Sequence, residues 1–194
     1  MKKSRITLVV LIIFLITGIG YMNGYRFNAL SAAKANSFVP KDSILIDEVD
    51  YSWGRFYIFD SPEKPVTAIT LQSYRFLWSS RMSVYHYHRD DRIITIGGGT
   101  LNNPKEKATV ISIIVDDPDV SYLEVGPESN RVKRGVNLGK PMTFAWDVAV
   151  QLNFLYPKAF NKNGELLYEY RYPKTNYIRQ EDLRWYSVKE SSLS

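Results

Sequence analysis

From Ile6 to Tyr25 the chain carries no charged residue, and residues 6–16 read ITLVVLIIFLI. An α-helix rises about 1.5 Å per residue, so roughly 20 residues of this kind match the roughly 30 Å hydrocarbon core of a bilayer. So long and uniform an apolar run does not suit a buried helix of a small soluble core. It predicts a single transmembrane helix over residues 6–25, preceded by a basic end at residues 1–5. Lys2, Lys3 and Arg5 precede the run, so the positive-inside rule keeps the N-terminus in the cytoplasm and places Arg26 onward outside. A cleaved signal peptide begins in the same way. However, the small-residue patterns Ser31-Ala32-Ala33 and Ala33-Lys34-Ala35 lie further beyond the apolar run than a cleavage site usually does. That favours an uncleaved signal-anchor in the cell membrane over a secreted product.

The formal net charge of +5 points at first to a basic protein. Without Lys2, Lys3 and Arg5, 22 Lys+Arg face 20 Asp+Glu, so the outer part is nearly balanced. The electrostatic footprint of a nucleic-acid binder is missing. Cysteine is absent, which removes disulfides, thiolate zinc sites, a cysteine nucleophile and a lipid-modified cysteine together.

The period changes after the anchor. Residues 26–40 contain helix formers and a weak apolar stripe through Phe27, Leu30 and Ala33, and read as a helical stalk that Pro40 stops. Short β-branched and aromatic runs follow at 44–49, 55–59 and 66–71, divided by Ser52-Trp53-Gly54 and by the Pro62 to Pro65 turn. Residues 73–83 suit helix or strand. The run TVISIIV at 109–115 is a fully apolar strand, Asp116 to Asp119 is a turn, and VSYLEV at 120–125 alternates as a half-buried strand does. Further strands are predicted at 142–146 and 152–156. A hairpin is predicted within 159–170, where Asn163-Gly164 supplies turn geometry. In the tail, Leu183, Trp185 and Tyr186 are available to dock, and residues 189–194 read as a loose polar end. With fourteen tyrosines the expected class is mainly β. One transmembrane helix carries a β-rich ectodomain with a first lobe at 41–104, a β-sandwich-like lobe at 105–175 and a tail at 176–194.

This order of features resembles that of uncharacterised small membrane-anchored or secreted proteins of Gram-positive bacilli. The features are a basic start, an apolar anchor, Gly97-Gly98-Gly99 closing a first β lobe, an acidic turn between strands within 110–125, and a final Asn-Lys-Asn-Gly hairpin before Leu-Leu-Tyr. The resemblance covers roughly Asp42 to Pro173. It implies an extracytoplasmic location and an immunoglobulin-like sandwich for the C-terminal part, and it brings no catalytic residues.

Chemistry is most concentrated in SVYHYHRDDRIITIGGG, residues 83–99. On one continuous strand His86, His88 and Asp90 share a face, and two histidines with a carboxylate form a legitimate metal set. A two-residue turn at Asp90-Asp91 gives another account, pairing His88 with Ile93, Tyr87 with Ile94, His86 with Thr95 and Tyr85 with Ile96. Tyr85, Tyr87, Ile94 and Ile96 then form a core face, the histidines fall on the wetter face, and Asp90 leaves them for the turn. The glycines lack the spacing of a dinucleotide or phosphate loop and suit a strand exit. Asp116, Asp117 and Asp119 lack the alternation of a calcium loop. No Gly-x-Ser-x-Gly elbow is present. Trp53, Trp78, Trp146 and Trp185 suit a glycan surface or, more simply, a core.

These features predict a non-enzymatic, membrane-anchored extracytoplasmic protein of the cell envelope that binds a protein, peptide or wall polymer, without cofactor and without nucleic acid. A metal-dependent envelope hydrolase using His86 and His88 is the competing expectation. A subunit that acts on another membrane protein through its anchor is the third.

Overall fold

The run at 109–115 is buried at all but one position, its polar Thr109 and Ser112 included, because both faces of its strand are covered. In the computed structural model, which describes residues 2–189, the protein is mainly β. Two helices come first, α1 (Lys2–Met22) and α2 (Ala29–Lys34). A four-stranded sheet then follows in the order β1 (Ile44–Tyr51), β2 (Gly54–Asp60), β3 (Val66–Ser73), β4 (Leu77–Tyr85). The middle sheet is built from β5 (Ile93–Asn102), β6 (Lys107–Val115) and β9 (Met142–Trp146), with β6 at its centre. The third sheet draws on β7 (Tyr122–Val125), β8 (Val132–Gly135), β10 (Lys158–Phe160), β11 (Leu166–Arg171) and β12 (Arg184–Ser187), in the order β12-β11-β10-β7-β8. Every pairing described is antiparallel.

Three apolar clusters define the layers. Ala29, Ala33 and Val39 pack on Tyr57, Phe59, Val66 and Ala68, placing α2 on the outer face of the first sheet. Phe56, Ile58 and Ile69 of the first sheet meet Leu101, Ala108 and Val110 of the middle sheet. On the other side of the middle sheet, Ile111, Ile113, Val115, Phe144 and Trp146 pack against Leu123, Val125, Ala159, Tyr170 and Trp185. The middle sheet is thus small-faced towards the first sheet and large-faced towards the third. Each fully buried Ile, Val or Phe in these clusters contributes about 1.5–3 kcal/mol of transfer free energy.

A β-bulge between Thr95 and Gly97 makes this asymmetry possible. One extra residue turns the strand over, so Ile93 packs towards the third sheet while Gly97, Gly99 and Leu101 lie towards the first. There the sheets approach too closely for side chains. A Cβ on Gly97 would stand 2.5 Å from Ile58 Cγ2, and one on Gly99 would stand 3.1 Å from Val84 Cγ2. Gly98 has φ of 142°, a backbone that other residues rarely adopt.

Several expectations change here. The hairpin centred on Asp90-Asp91 does not form: β4 pairs with β3 and β5 with β6, so residues 86–92 cross from one sheet to the next. The expected lobe boundary at 104/105 falls in the β5–β6 connection, and the first sheet shares its core with the same middle sheet that the sandwich uses. The stretch at 26–40 docks instead of forming a free stalk. Asn28 caps α2 by accepting from Ser31 N at 3.1 Å, and buried Asn36, not Pro40, pins its end by donating to the Ser80 carbonyl at 3.2 Å. Residues 152–156 hold a 3₁₀ turn (Leu152–Leu155), because Leu152 and Leu155 meet the core three residues apart and Pro157 follows Tyr156 in a left-handed conformation. The 159–170 hairpin is present, and only Gly164 of the Asn-Gly pair has positive φ.

α1 ends at Met22, three residues short of the expected 25, because Gly24 at φ 81° turns the chain. Its side chains are described from Ile6, and among the described residues no helix is long and apolar enough to cross a membrane. Of the loose end expected at 189–194, residues 190–194 lie outside the described residues.

Gly97→Ala is expected to lower the unfolding free energy by about 1–3 kcal/mol in urea titration, through overpacking against Ile58. Gly135→Ala, where the nearest atom is 4.0 Å away, serves as the control and should change it by less than about 0.5 kcal/mol. Equal effects at the two positions would contradict the close-approach account.

Candidate functional site

The crossing segment between β4 and β5 carries both histidines and places them in different surroundings. His86 is buried and its backbone N–H donates to the Pro65 carbonyl at 2.8 Å. Its Nε2 lies 3.2 Å from the Gly98 carbonyl; a carbonyl only accepts, so Nε2 carries the proton. The Gly98 N–H donates to Thr67 Oγ1 at 2.8 Å, and Thr67 is fully buried. Among the described residues β5 is an edge strand whose outward backbone groups have no strand partner, so Thr67 of the first sheet and His86 of the crossing segment satisfy Gly98 on both sides. The "HYH" and "GGG" of the sequence therefore do meet, as donor and acceptor in one buried contact.

His88 points elsewhere. Its Nε2 donates to the Ser61 carbonyl at 2.8 Å and lies 3.4 Å from Asp60 Oδ1, with the side chain about half exposed. Each histidine thus spends its Nε2 on a separate carbonyl. Among the described residues no group of three or more His, Cys, Asp or Glu gathers as a metal site. The arrangement expected for the metal-dependent hydrolase, with His86 and His88 converging on one ion, is not the one the crossing segment adopts. Two of the expected faces reverse, with His86 inward and Tyr85 40% exposed, while Ile96 is buried and His88 half exposed as expected.

The C-terminal segment straps over the crossing. Arg89 donates to the Glu181 carbonyl, Arg184 Nη1 lies 3.7 Å from Asp91 Oδ1, and Trp185 Nε1 donates to Thr95 Oγ1 at 3.2 Å. Beneath the strap is a cavity of about 80 Å³, lined by His86, Asp91, Thr95, Tyr170, Leu183 and Trp185 among others. Among the described residues Asp91 Oδ2 is buried without a hydrogen-bond partner, an acceptor left open in a residue that lines this cavity. Burial pushes the Tyr170 hydroxyl up to about 12, so it stays protonated. The cavity offers aromatic walls and one free carboxylate oxygen, chemistry suited to holding a small donor group. Sequence reasoning missed Asp91 and Thr95 as neighbours of Tyr170 because residues 91–95 and Tyr170 come from stretches far apart in the chain. The docking aromatics in the tail were its only signal.

The acidic turn is structural. Asp117 is buried; that burial pushes its carboxyl up, but the Tyr168 hydroxyl at 2.6 Å, the Asp119 N–H at 3.0 Å and the Arg92 guanidinium outweigh it and hold the carboxyl below its usual range. Trp146 and Trp185 are core residues, while Trp53 stacks on Tyr51 at 5.0 Å.

No family model matches the chain, and no curated protein or solved structure matches it.

Burial lowers the affinity of the His86 imidazole for a proton below its ordinary value near 6.5, and the Gly98 contact offsets this only in part. The unfolded chain therefore binds the extra proton first as pH falls, so stability present above 6.5 is lost below it. Between about pH 7.5 and 5.5 the native chain should lose up to about 1.4 kcal/mol in urea titration that His86→Gln, whose amide still donates to Gly98, retains. Identical losses in the two proteins would contradict a neutral, buried His86.

Proposed function

We propose that the chain is a single-pass, membrane-anchored extracytoplasmic protein whose β body binds a protein, peptide or wall polymer of the cell envelope. The observation that carries this reading is the surface of α1. Every large apolar side chain from Ile6 to Ile16 is between 47 and 77% exposed, on all sides of the helix. A helix apolar around its whole circumference is stable only when surrounded by apolar matter, and α1 lies outside all three core clusters. The apolar run from Ile6 to Met22 is at the short end of the range of about 17–25 residues that span a bilayer, a mismatch that local thinning accommodates. Lys2, Lys3 and Arg5 favour an inside N-terminus.

The binding part of the proposal rests on architecture and on the cavity. The strand order β5-β6-β9 facing β8-β7-β10-β11 is compatible with an immunoglobulin-like sandwich, to which the first sheet adds a third layer. It is also consistent with the resemblance to small anchored or secreted proteins of Gram-positive bacilli. The open Asp91 acceptor beneath the C-terminal strap is the point on this body that favours a ligand carrying a hydroxyl or amino group.

Cell fractionation tests the reading. The full chain with a C-terminal tag should stay in the membrane pellet through high salt and alkaline carbonate, dissolve in detergent, and lose its tag to protease added outside intact spheroplasts. Leu11→Arg/Phe14→Arg should move it to the soluble fraction. A native chain that is soluble without detergent, or a tag protected from external protease, would overturn the proposal.

A further inference from the structure

The charges of this chain are unevenly placed along its length. Residues 1–41 contain no Asp or Glu, and neither do residues 64–89; all 20 acidic residues lie elsewhere. The fold brings these two acid-free stretches together. Four residues after α1 ends, Arg26 pairs with Trp78 of β4, its N–H donating to the Trp78 carbonyl at 2.8 Å and its carbonyl accepting from Trp78 N at 2.7 Å. α2 then packs across β2 and β3. The result is one end of the body that carries Arg26, Arg75 and Arg81, with Asp50 of β1 held at 2.8 Å by Arg55, whose guanidinium lies over the Trp78 ring.

The same end exposes aromatic rings. Phe27 is 74% exposed and stacks on Phe76, itself 58% exposed, with centroids 6.4 Å apart. Beside them the β3–β4 tip holds Tyr74, 79% exposed, and Arg75 in consecutive positive-φ conformations. Non-glycine residues adopt such a backbone at a cost, so the tip presents its aromatic and basic side chains from a strained turn. Arg26 joins the tip region to the helix end: its Nη1 donates to the Tyr21 carbonyl at 2.7 Å, and its guanidinium lies 3.6 Å over the Tyr21 ring. Arg81 lies over the Tyr25 ring.

Exposed aromatics interleaved with cations, at the end of an apolar helix, match the chemistry of the bilayer's interfacial layer: rings sit at the headgroup level and cations meet anionic lipid. Distance makes the match compulsory once α1 is in a membrane. Arg26 is four residues beyond Met22, and an extended chain covers at most about 3.6 Å per residue, so the strand bonded to Arg26 stays within roughly 15 Å of the helix end.

We propose that the Phe27–Phe76 pair and the Tyr74-Arg75 tip rest in the anionic interface of the bilayer that holds α1, seating the body on the membrane surface instead of holding it off on a stalk. This rests on the anchor reading and is tested apart from it. The native chain has no cysteine, so single-cysteine variants accept an environment-sensitive fluorophore cleanly. The full chain is reconstituted in phosphatidylcholine/phosphatidylglycerol vesicles that carry a quencher either in the acyl chains or at the headgroup. Leu11→Cys reports the anchor, Ser73→Cys reports the tip, and Asn163→Cys reports the third sheet, two layers or roughly 20 Å from the first. The proposal expects Leu11→Cys to be quenched from the acyl chains. It expects Ser73→Cys to be quenched from the headgroup several-fold more than Asn163→Cys, and less so when Arg75→Glu/Arg81→Glu is added or when phosphatidylglycerol is left out. Leu11→Cys quenched with Ser73→Cys no more quenched than Asn163→Cys overturns the seating and leaves the anchor standing. Leu11→Cys unquenched overturns the anchor itself. Ser73→Cys labels that quench one another between copies, and not by lipid, assign the surface to a second copy and overturn the proposal.

Discussion

The structure depends on one close approach. Ile58 and Thr67 of the first sheet reach the backbone of β5, and they do so only because Gly97 and Gly99 present no side chain there. The bulge before Gly97 supports the same contact by turning the strand over, so that the small residues face one neighbour and Ile93 faces the other. With the sheets this close, the unpaired backbone of an edge strand falls within reach of Thr67 and His86, which take up the Gly98 N–H and carbonyl. The middle sheet is thereby shared, and the first sheet and the sandwich form one body.

Much of the strand inventory was legible in the sequence, because alternation and β-branched runs report half-buried strands directly. The runs at 44–49, 55–59, 66–71 and 142–146 all lie in strands. What was misread is pairing. Asp90-Asp91 between two β runs has the composition of a turn, and neighbouring strands usually pair, so a hairpin was the economical account. Nothing within residues 83–99 says that β4 already has β3 and that β5 will take β6. The glycines were misread for a related reason. Their role is set by Ile58, Thr67, Val84 and Val110, residues well separated from them in sequence, so a local rule returns only a strand exit. His86 followed them, since its inward face is fixed by the crossing and not by strand alternation. The run of β-branched residues at 109–115, broken only by Ser112, was the one local sign that a strand is covered on both faces.

β4 of the first sheet also links two distinct regions of the body. At one end α1 passes into the first sheet through the Arg26–Trp78 pairing, where the aromatic and cationic surface lies. The cavity with the open Asp91 acceptor sits under the C-terminal strap, at the junction of the crossing segment with the middle and third sheets. β4 runs between them, carrying Trp78 at one end and leading into His86 at the other.

Native-state hydrogen exchange on the full chain in bilayer discs tests the central claim, that three sheets form one cooperative body through the glycine contact. Amides of β2, β3 and β6 should exchange through the same opening reaction, with free energies that agree within about 1 kcal/mol. If β2 and β3 open at a free energy several kcal/mol lower while β6 stays protected, the first sheet is a separate unit and the account is wrong.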